Sequence, residues 1–546
     1  MPTRADRLDA FCAGALAVLT ILTRLPYRAR MLYNWDAVQF ALALREYDVV
    51  KHQPHPPGYI LYVVIGRLVD TWLRDANASY VLLAVVFSGL TTFVVYYVAL
   101  TIYDRSTAVA SALILAVSPL FWFYGSVGLT YAGEALFASV VAYFSYRALR
   151  GSEMDAWLGA GYLGLAGGMR QSILLLLFPL WLGSVLVGGR RARTIVIGLG
   201  IVTAAALAWF VPMIWLTGGL GRYLEASRDL AETVVRPTTI VTGPFDVTLR
   251  MSRYVLESIL VGLGPLALAV VLLPWYGGRY GWTRREAFLL VWTVPSVLVC
   301  TLVHFGQAGY VLTFLPALVI LLSRVLLRAL ADASGRLALP RARSALTTAA
   351  VVMVVLVNGA FFVSARPLVR DFDAARAGWA QTARDDAFDW IWSRTAAALR
   401  EHEAVVETFV TAIRGLYDPA DTAIIAELGN RRSYPWLRHA MFYLPEFTIY
   451  EIRVGELPPG YYAPRTAHAM IVSAGSEIRL PATITRLVWF VDHWSPDSER
   501  PPGLTEIELP YGRFLYALPV GRRFEHAGYT FVKEEPERPA RHRAAR

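Results

Sequence analysis

Lysine is nearly missing from this chain of 546 residues. Lys51 and Lys533 are the only two, so the net charge of +10 rests on arginine. Cysteine is equally scarce. Cys12 and Cys300 both fall in apolar stretches, and such a pair builds neither a disulfide framework nor a cysteine zinc site. Charge of either sign is low, at 17% of residues against about a quarter in soluble globular chains. No basic block with interleaved aromatics occurs, which argues against nucleic acid as a partner.

What is present is apolar. Hydrophobic residues make up 56% of the chain, and the mean hydropathy is +0.44. Several runs approach the ~20 residues that cross ~30 Å of hydrocarbon. The reading is a polytopic α-helical membrane protein with about eleven spans, near 8–25, 78–102, 107–123, 128–148, 157–170, 172–188, 194–217, 253–275, 286–303, 309–330 and 345–364. The first is long for a signal-peptide core and is read as a retained helix.

With the N-terminus inside, Arg105, Arg147, Arg150, Arg190, Arg191, Arg193, Arg279, Arg284, Arg285, Arg336, Arg341 and Arg343 all fall in cytoplasmic loops, as the positive-inside rule asks. Arg24, Arg28 and Arg30 conflict with it, on the outer side after the first span. Two outer segments are long, 26–77 and 218–252.

After Ser364 the apolar runs stop. Residues 1–364 read as a transmembrane domain and 365–532 as a small α/β domain, placed outside by odd span parity; the charged tail 533–546 reads as disordered. Strand patterns lie at Thr422–Ala426, Thr448–Ile452, Ala469–Val472 and Leu487–Val491, and helical ones at Asp385–Leu399 and Tyr434–Tyr443. No internal repeat is visible, which weighs against transporter folds built from repeats.

The segment Asn34–Tyr62, NWDAVQFALALREYDVVKHQPHPPGYILY, carries the densest chemistry. Asp36-Ala-Val-Gln39 has the pattern of a capping box opening a helix over 36–47, with a polar stripe at Gln39 and Glu46. Cap and base are compatible roles, because a helix N-terminus stabilises a carboxylate. His52 and His55 lack metal-ligand spacing and an obvious third ligand, and Pro56-Pro57-Gly58 breaks the chain direction.

Further on, Glu134 is expected about 9 Å into the fourth span, at ~1.5 Å per residue. A carboxylate there signals function or a buried ion pair. Arg170, in Gly167-Gly-Met-Arg-Gln-Ser172, suits bidentate phosphate binding or end-of-helix snorkelling. His304, Gln307 and Tyr310 surround two glycines in the ninth-to-tenth turn. The predicted topology puts Asp36, His55, Glu134, Arg170, His304 and Gln307 on one side of the membrane. That set offers a base, a second carboxylate and cations at headgroup depth. It fits an acceptor attacking a sugar carried on a lipid phosphate.

At these positions the chain resembles the GT-C membrane glycosyltransferases, in particular the protein O-mannosyltransferase-like and aminoarabinose-transferase-like group of family 39. The resembling pieces are Asp36 with its helix, His55-Pro-Pro-Gly-Tyr-Ile-Leu-Tyr62, Tyr131-Ala-Gly-Glu134, Gly167-Gly-Met-Arg170 and Gly306-Gln-Ala-Gly-Tyr310 leading to Leu315-Pro-Ala-Leu318. The resemblance implies inverting transfer from a polyprenyl-phosphate sugar without a covalent enzyme intermediate. The acceptor would be a lipid, glycan or protein at the outer face of a bacterial inner or plasma membrane.

In that reading Asp36 is the general base, and Arg170, helped by Lys51 or His55, holds the donor phosphate. His304, Gln307 and Tyr310 contact substrate. Glu134 orients the acceptor or shares a divalent metal cation with Asp36. Where the mannosyltransferases carry an Asp-Glu pair, Ala37 follows Asp36 here, which sets the metal in question. The alternatives are a transporter or lipid flippase using Glu134 and Arg170, and a silent scaffold displaying the C-terminal domain.

Overall fold

The computed structural model describes residues 3–189, 192–336, 343–364, 394–428, 437–453, 469–471, 477–490, 494, 500–521, 523–526 and 528–535. The chain opens with α1 (Arg4–Arg24), α2 (Trp35–Arg45), α3 (Ile60–Leu73), α4 (Ala76–Ile102), α5 (Arg105–Ala116), α6 (Pro119–Tyr124), α7 (Tyr131–Leu149) and α8 (Glu153–Met169). It continues with α9 (Gln171–Val187), α10 (Ala192–Leu216), α11 (Leu220–Leu230), α12 (Phe245–Leu263), α13 (Leu273–Tyr280), α14 (Arg284–Leu302), α15 (Leu315–Arg336) and α16 (Arg343–Ser364).

Among the described residues six helical stretches are long and apolar enough to cross a membrane: Arg4–Tyr27, Ala76–Ile102, Ala192–Leu216, Phe245–Tyr280, Arg284–Leu302 and Ser344–Ser364. The chain is a polytopic helical membrane protein. α7 and α8 miss that criterion and carry Glu134, Arg147, Glu153 and Asp155. Glu134 and Asp155 are buried, so protein surrounds them rather than lipid.

Several expected spans are broken. Pro119 starts a new helix after Ser118, so 107–123 becomes α5 and α6. The stretch 253–275 tightens into a 3-10 helix at Gly264–Leu272 between α12 and α13. Residues Ala308–Thr313 form a 3-10 turn before α15. The segment 26–77 holds two helices rather than one, α2 and α3, because α3 is apolar on one face only and lacks a membrane-length run.

α4 packs against α1, α5 and α7, and α8 joins α7 to α10. Gly164 permits the last contact: a Cβ there would lie 2.6 Å from Ala205 Cβ and 2.7 Å from the Val202 carbonyl. At the end where α1 begins and α4 finishes, Asp9 pairs with Arg105 at 2.6 Å, Arg324 pairs with Asp104, and Arg147 pairs with Asp155 at 2.9 Å. Of the anomalous arginines near residue 24, one is absorbed by packing, while Arg28 and Arg30 are exposed. Arg24 is buried with its guanidinium over Phe121 and Trp122, at 5.3 and 5.4 Å. Arg28 donates to the Leu25 carbonyl at 2.8 Å.

The C-terminal part comprises α17 (Ala396–Leu416), β1 (Thr422–Leu428), α18 (Leu437–Tyr443), β2 (Thr448–Arg453), β3 (Ala469–Ile471), β4 (Glu477–Leu480), β5 (Arg486–Trp489), β6 (Thr505–Leu509), β7 (Arg513–Pro519), β8 (Arg523–His526) and β9 (Tyr529–Lys533). One sheet runs β3-β2-β1-β5-β7-β6, parallel through β5 and antiparallel beyond it; a second runs β4-β9-β8. The period-2 alternation of β1 splits its side chains. Ile424 and Ala426 join the large core, while Ala423 and Ile425 join a smaller one with Tyr529 and Phe531.

The helix expected over Asp385–Leu399 is described only from residue 396, and it extends to Leu416. Residues 385–393, 434–436, Val472 and Val491 of the expected elements, the linker from 365 and the tail from 536 lie outside the described residues.

Candidate active site

α2 begins at Trp35 because Asn34, in extended conformation, accepts from the Ala37 N–H at 3.1 Å. This corrects the expected cap. Asn34 does the capping, so Asp36 sits in the first turn with its carboxylate directed elsewhere. Gln39 does not close a capping box either. Its Oε1 lies 2.5 Å from His55 Nδ1 and 3.2 Å from the His55 backbone N–H.

After α2 the chain folds back on itself. Asp48 and Gln53 form an isolated antiparallel bridge, and the Gln53–Pro54 and Pro56–Pro57 bonds are cis. Gly58 takes φ +106, with Tyr47 Oη donating to its carbonyl at 2.7 Å. A Cβ on Gly58 would lie 2.7 Å from Met213 Sδ and 2.8 Å from Tyr47 Oη. Gly58→Ala is therefore expected to cost about 1–3 kcal/mol. It should lower the thermal unfolding midpoint of detergent-solubilised protein.

The fold-back brings His55 to Asp36. Nδ1 donates to Gln39, since an amide oxygen only accepts, so Nε2 accepts from Tyr59 Oη at 3.0 Å. His55 Nδ1 is 3.8 Å from Asp36 Oδ1. From across the fold, Gln307 Nε2 donates to Asp36 Oδ2 at 2.6 Å. Asn34 Nδ2 donates to Gln307 Oε1 at 3.3 Å, which fixes the amide with its NH₂ toward Asp36.

The second carboxylate is differently placed. Glu134, in the first turn of α7, accepts from Arg170 Nη1 at 2.7 Å and from Thr130 Oγ1 at 2.8 Å, both on Oε1. Thr313 Oγ1 lies 3.4 Å from Oε2. Arg170 is the single residue between α8 and α9, and its guanidinium lies 4.0 Å from the Tyr310 ring centroid and 5.1 Å from that of Tyr131. Glu134 and Arg170 keep only 2% and 9% of their side-chain surface, whereas Asp36 keeps 25%. Asp36 is thus the carboxylate a substrate can reach.

These groups border one cavity of about 420 Å³. It gathers seven of the residues singled out in the sequence: Asp36, His55, Glu134, Arg170, His304, Gln307 and Tyr310. The lining also has an apolar part, with Leu176, Leu230, Val234, Val235, Val299 and Val303. Lys51 is the exception. Its ammonium pairs with Glu46 and does not border the cavity. Trp35, Gln39, Tyr59, Ser172 and Thr313 line it too and were not anticipated. No local pattern marks Thr313 or Ser172, but Tyr59 could have been found beside His55 in the Pro-Pro-Gly-Tyr break.

Burial sets the charge here. It pushes His55 below its ordinary value, against the pull of Asp36, with Arg170 and Arg438 pushing further down. Burial pushes His304 down to about 4, and Arg170 adds to it; its Nδ1 lies 3.1 Å from Thr238 Oγ1. Both imidazoles are neutral at pH 7, so Arg170 is the cation facing the cavity. Neutral histidines of depressed pKa stabilise the fold above pH 6.5, and that contribution fades as pH falls toward about 4. The unfolding midpoint should therefore drop across that window, less steeply in His304→Gln. An unchanged slope would contradict the assignment.

Among the described residues no group of three or more His, Cys, Asp or Glu is placed to hold a metal ion. Glu134 is committed to Arg170 and the threonines, which leaves Asp36 as the accessible carboxylate. A Mg²⁺ ion held by one carboxylate takes its other ligands from water and substrate phosphate. A cation shared by Asp36 and Glu134 would have to compete with Arg170 for Glu134 Oε1.

The family model described as "Protein O-mannosyl-transferase TMEM260 N-terminal domain" matches residues 46–195, a stretch holding His55, Glu134 and Arg170. No curated protein matches the chain by sequence. ArnT from Cupriavidus metallidurans bound to undecaprenyl phosphate is similar in structure at 14% identity, covering 93% of this chain and 97% of its own, with a TM-score of 0.54. The same protein in the apo state is 15% identical over 82% and 86% of the two chains, with a TM-score of 0.52. The chain has the fold of the GT-C membrane glycosyltransferases.

Proposed function

We propose that this protein is a membrane glycosyltransferase that moves a sugar from a polyprenyl-phosphate carrier to an acceptor hydroxyl with inversion. The observation that carries the reading is the cavity itself. It holds one accessible carboxylate, Asp36, one buried guanidinium, Arg170, and an apolar part of its lining. The bound lipid of the ArnT structure supports a lipid phosphate here as well.

Asp36 takes the proton of the acceptor O–H as that oxygen attacks the anomeric carbon. The bond from the anomeric carbon to the phosphate oxygen breaks, and its electron pair leaves with the polyprenyl phosphate. Arg170 meets the charge developing on that phosphate. Glu134 holds Arg170 in place, flanked by Tyr310 and Tyr131. Gln307 and Asn34 orient Asp36, and Gln39 and Tyr59 orient His55. The apolar part of the lining takes the first part of the prenyl chain.

The chain crosses the membrane about eleven times, with the cavity and the C-terminal domain on the outer face of a bacterial inner or plasma membrane. The acceptor is a lipid, glycan or protein reaching Asp36 from that side. A panel of labelled polyprenyl-phosphate sugars in proteoliposomes tests the reaction. Cleavage of at least one donor with label passing to an acceptor is expected. Movement of intact donor between leaflets would instead establish a transporter, and neither process would leave a scaffold.

A further inference from the structure

Between α1 and α2 the chain makes a 3-10 turn at Leu25–Tyr27, and Ala29 pairs with the Ser126 carbonyl and the Asn77 side chain. The C-terminal helices hold Arg28, Arg30 and Leu32. Arg400 Nη2 donates to the Arg28 carbonyl at 2.6 Å, and Glu403 Oε1 accepts from the Arg30 N–H at 2.6 Å. Leu32 is held on both sides. Its N–H donates to Tyr443 Oη at 2.9 Å, and its carbonyl accepts from His439 Nε2 at 2.7 Å and His402 Nε2 at 3.3 Å. Glu403 and His439 are buried, His402 is half-buried, and Leu32 is fully buried.

Leu32 is two residues from the cap Asn34 and four from Asp36. A buried backbone group left without its partner is costly, so these contacts fix where α2 begins. The neighbouring Arg438 strengthens the hold: its guanidinium lies 5.2 Å from the ring centroid of Trp35, which lines the cavity beside Asp36. From there the order passes through Asn34 to Gln307, and from Gln307 to Asp36.

We infer that the C-terminal helices α17 and α18 are part of the active site's frame: His439 and Tyr443 are positioning residues that set the aim of the Asp36 carboxylate through Leu32. This rests on the reaction proposed above. It assigns the C-terminal domain a place in catalysis whatever acceptor it meets.

The test uses the full-length protein with His439→Ala, Tyr443→Phe, the double variant, and His439→Gln, which keeps a side-chain N–H donor. Two readouts are taken. Amide hydrogen exchange over residues 30–38 should rise about tenfold or more in the double variant, with α7 unchanged. In transfer assays kcat should fall about 10- to 100-fold while donor KM and polyprenyl-phosphate binding stay within about twofold, and His439→Gln should recover most of the loss.

Unchanged exchange over 30–38 would overturn the inference. So would kcat and donor binding falling in proportion, the mark of a loss of folded protein only. If the wild type transferred no sugar at all, the proposed reaction would fail, and the exchange result would still decide the positioning role.

Discussion

Asp36→Asn is expected to lower kcat for sugar transfer by about 10²- to 10⁴-fold, the range supplied by a positioned general base. The change keeps an oxygen to accept from Gln307, so the hydrogen bond at 2.6 Å and the local fold have no reason to break. What is lost is the capacity to take a proton. Donor affinity should be nearly unchanged, because the guanidinium that meets the phosphate is Arg170. The measurement is kcat and KM with a cleavable polyprenyl-phosphate sugar, beside equilibrium binding of the sugar-free polyprenyl phosphate. A loss confined to kcat means an interaction made in the transition state; a rise in KM alone would mean Asp36 only binds substrate.

The second large effect is on Arg170. Arg170→Met removes the cation facing the phosphate, which should cost about 10²- to 10³-fold in kcat together with weaker donor binding. It also strands Glu134, whose side chain is 2% accessible, as a buried charge. Breaking such a pair from one side destabilises by roughly 3–5 kcal/mol. Activity and stability should therefore fall together. The double variant Arg170→Met/Glu134→Gln separates them: it should regain much of the lost stability and none of the activity. Arg170→Lys should not rescue transfer, since an ammonium cannot reproduce the planar fork between Glu134 and the Tyr310 and Tyr131 rings. A double variant as active as the wild type would remove Arg170 from the site.

Much of the site could be read before the fold. Polar groups within apolar sequence are costly, so Glu134 and Arg170 stood out where they sit, and the topology gathered them with Asp36, His304 and Gln307. Their pairing was harder to read, because nothing local says that Arg170 reaches Glu134 rather than substrate. The capping of α2 went the other way. Asp36-Ala-Val-Gln39 matches a capping box, yet Asn34 stands one residue before the helix and takes the role. Gln39 was then free to hold His55. Lys51 was a cation at the right sequence distance, but Glu46 lies close enough to pair with it first.

The contacts of Leu32 with His439 and Tyr443 join residues about four hundred positions apart. No periodicity carries such information. Within the bundle, proline and glycine interrupt the helices of expected spans, as at Pro119 and Gly264, since hydropathy averages across a break that the backbone does not.

The central claim is direct transfer from a lipid phosphate within the Asp36 cavity. It is tested most directly by a single turnover with enzyme in excess over a labelled polyprenyl-phosphate sugar. The account predicts that free polyprenyl phosphate and glycosylated acceptor appear together in equal amounts, with inverted anomeric configuration and no label held on the protein. Sugar trapped covalently on the chain, or product of retained configuration, would contradict it.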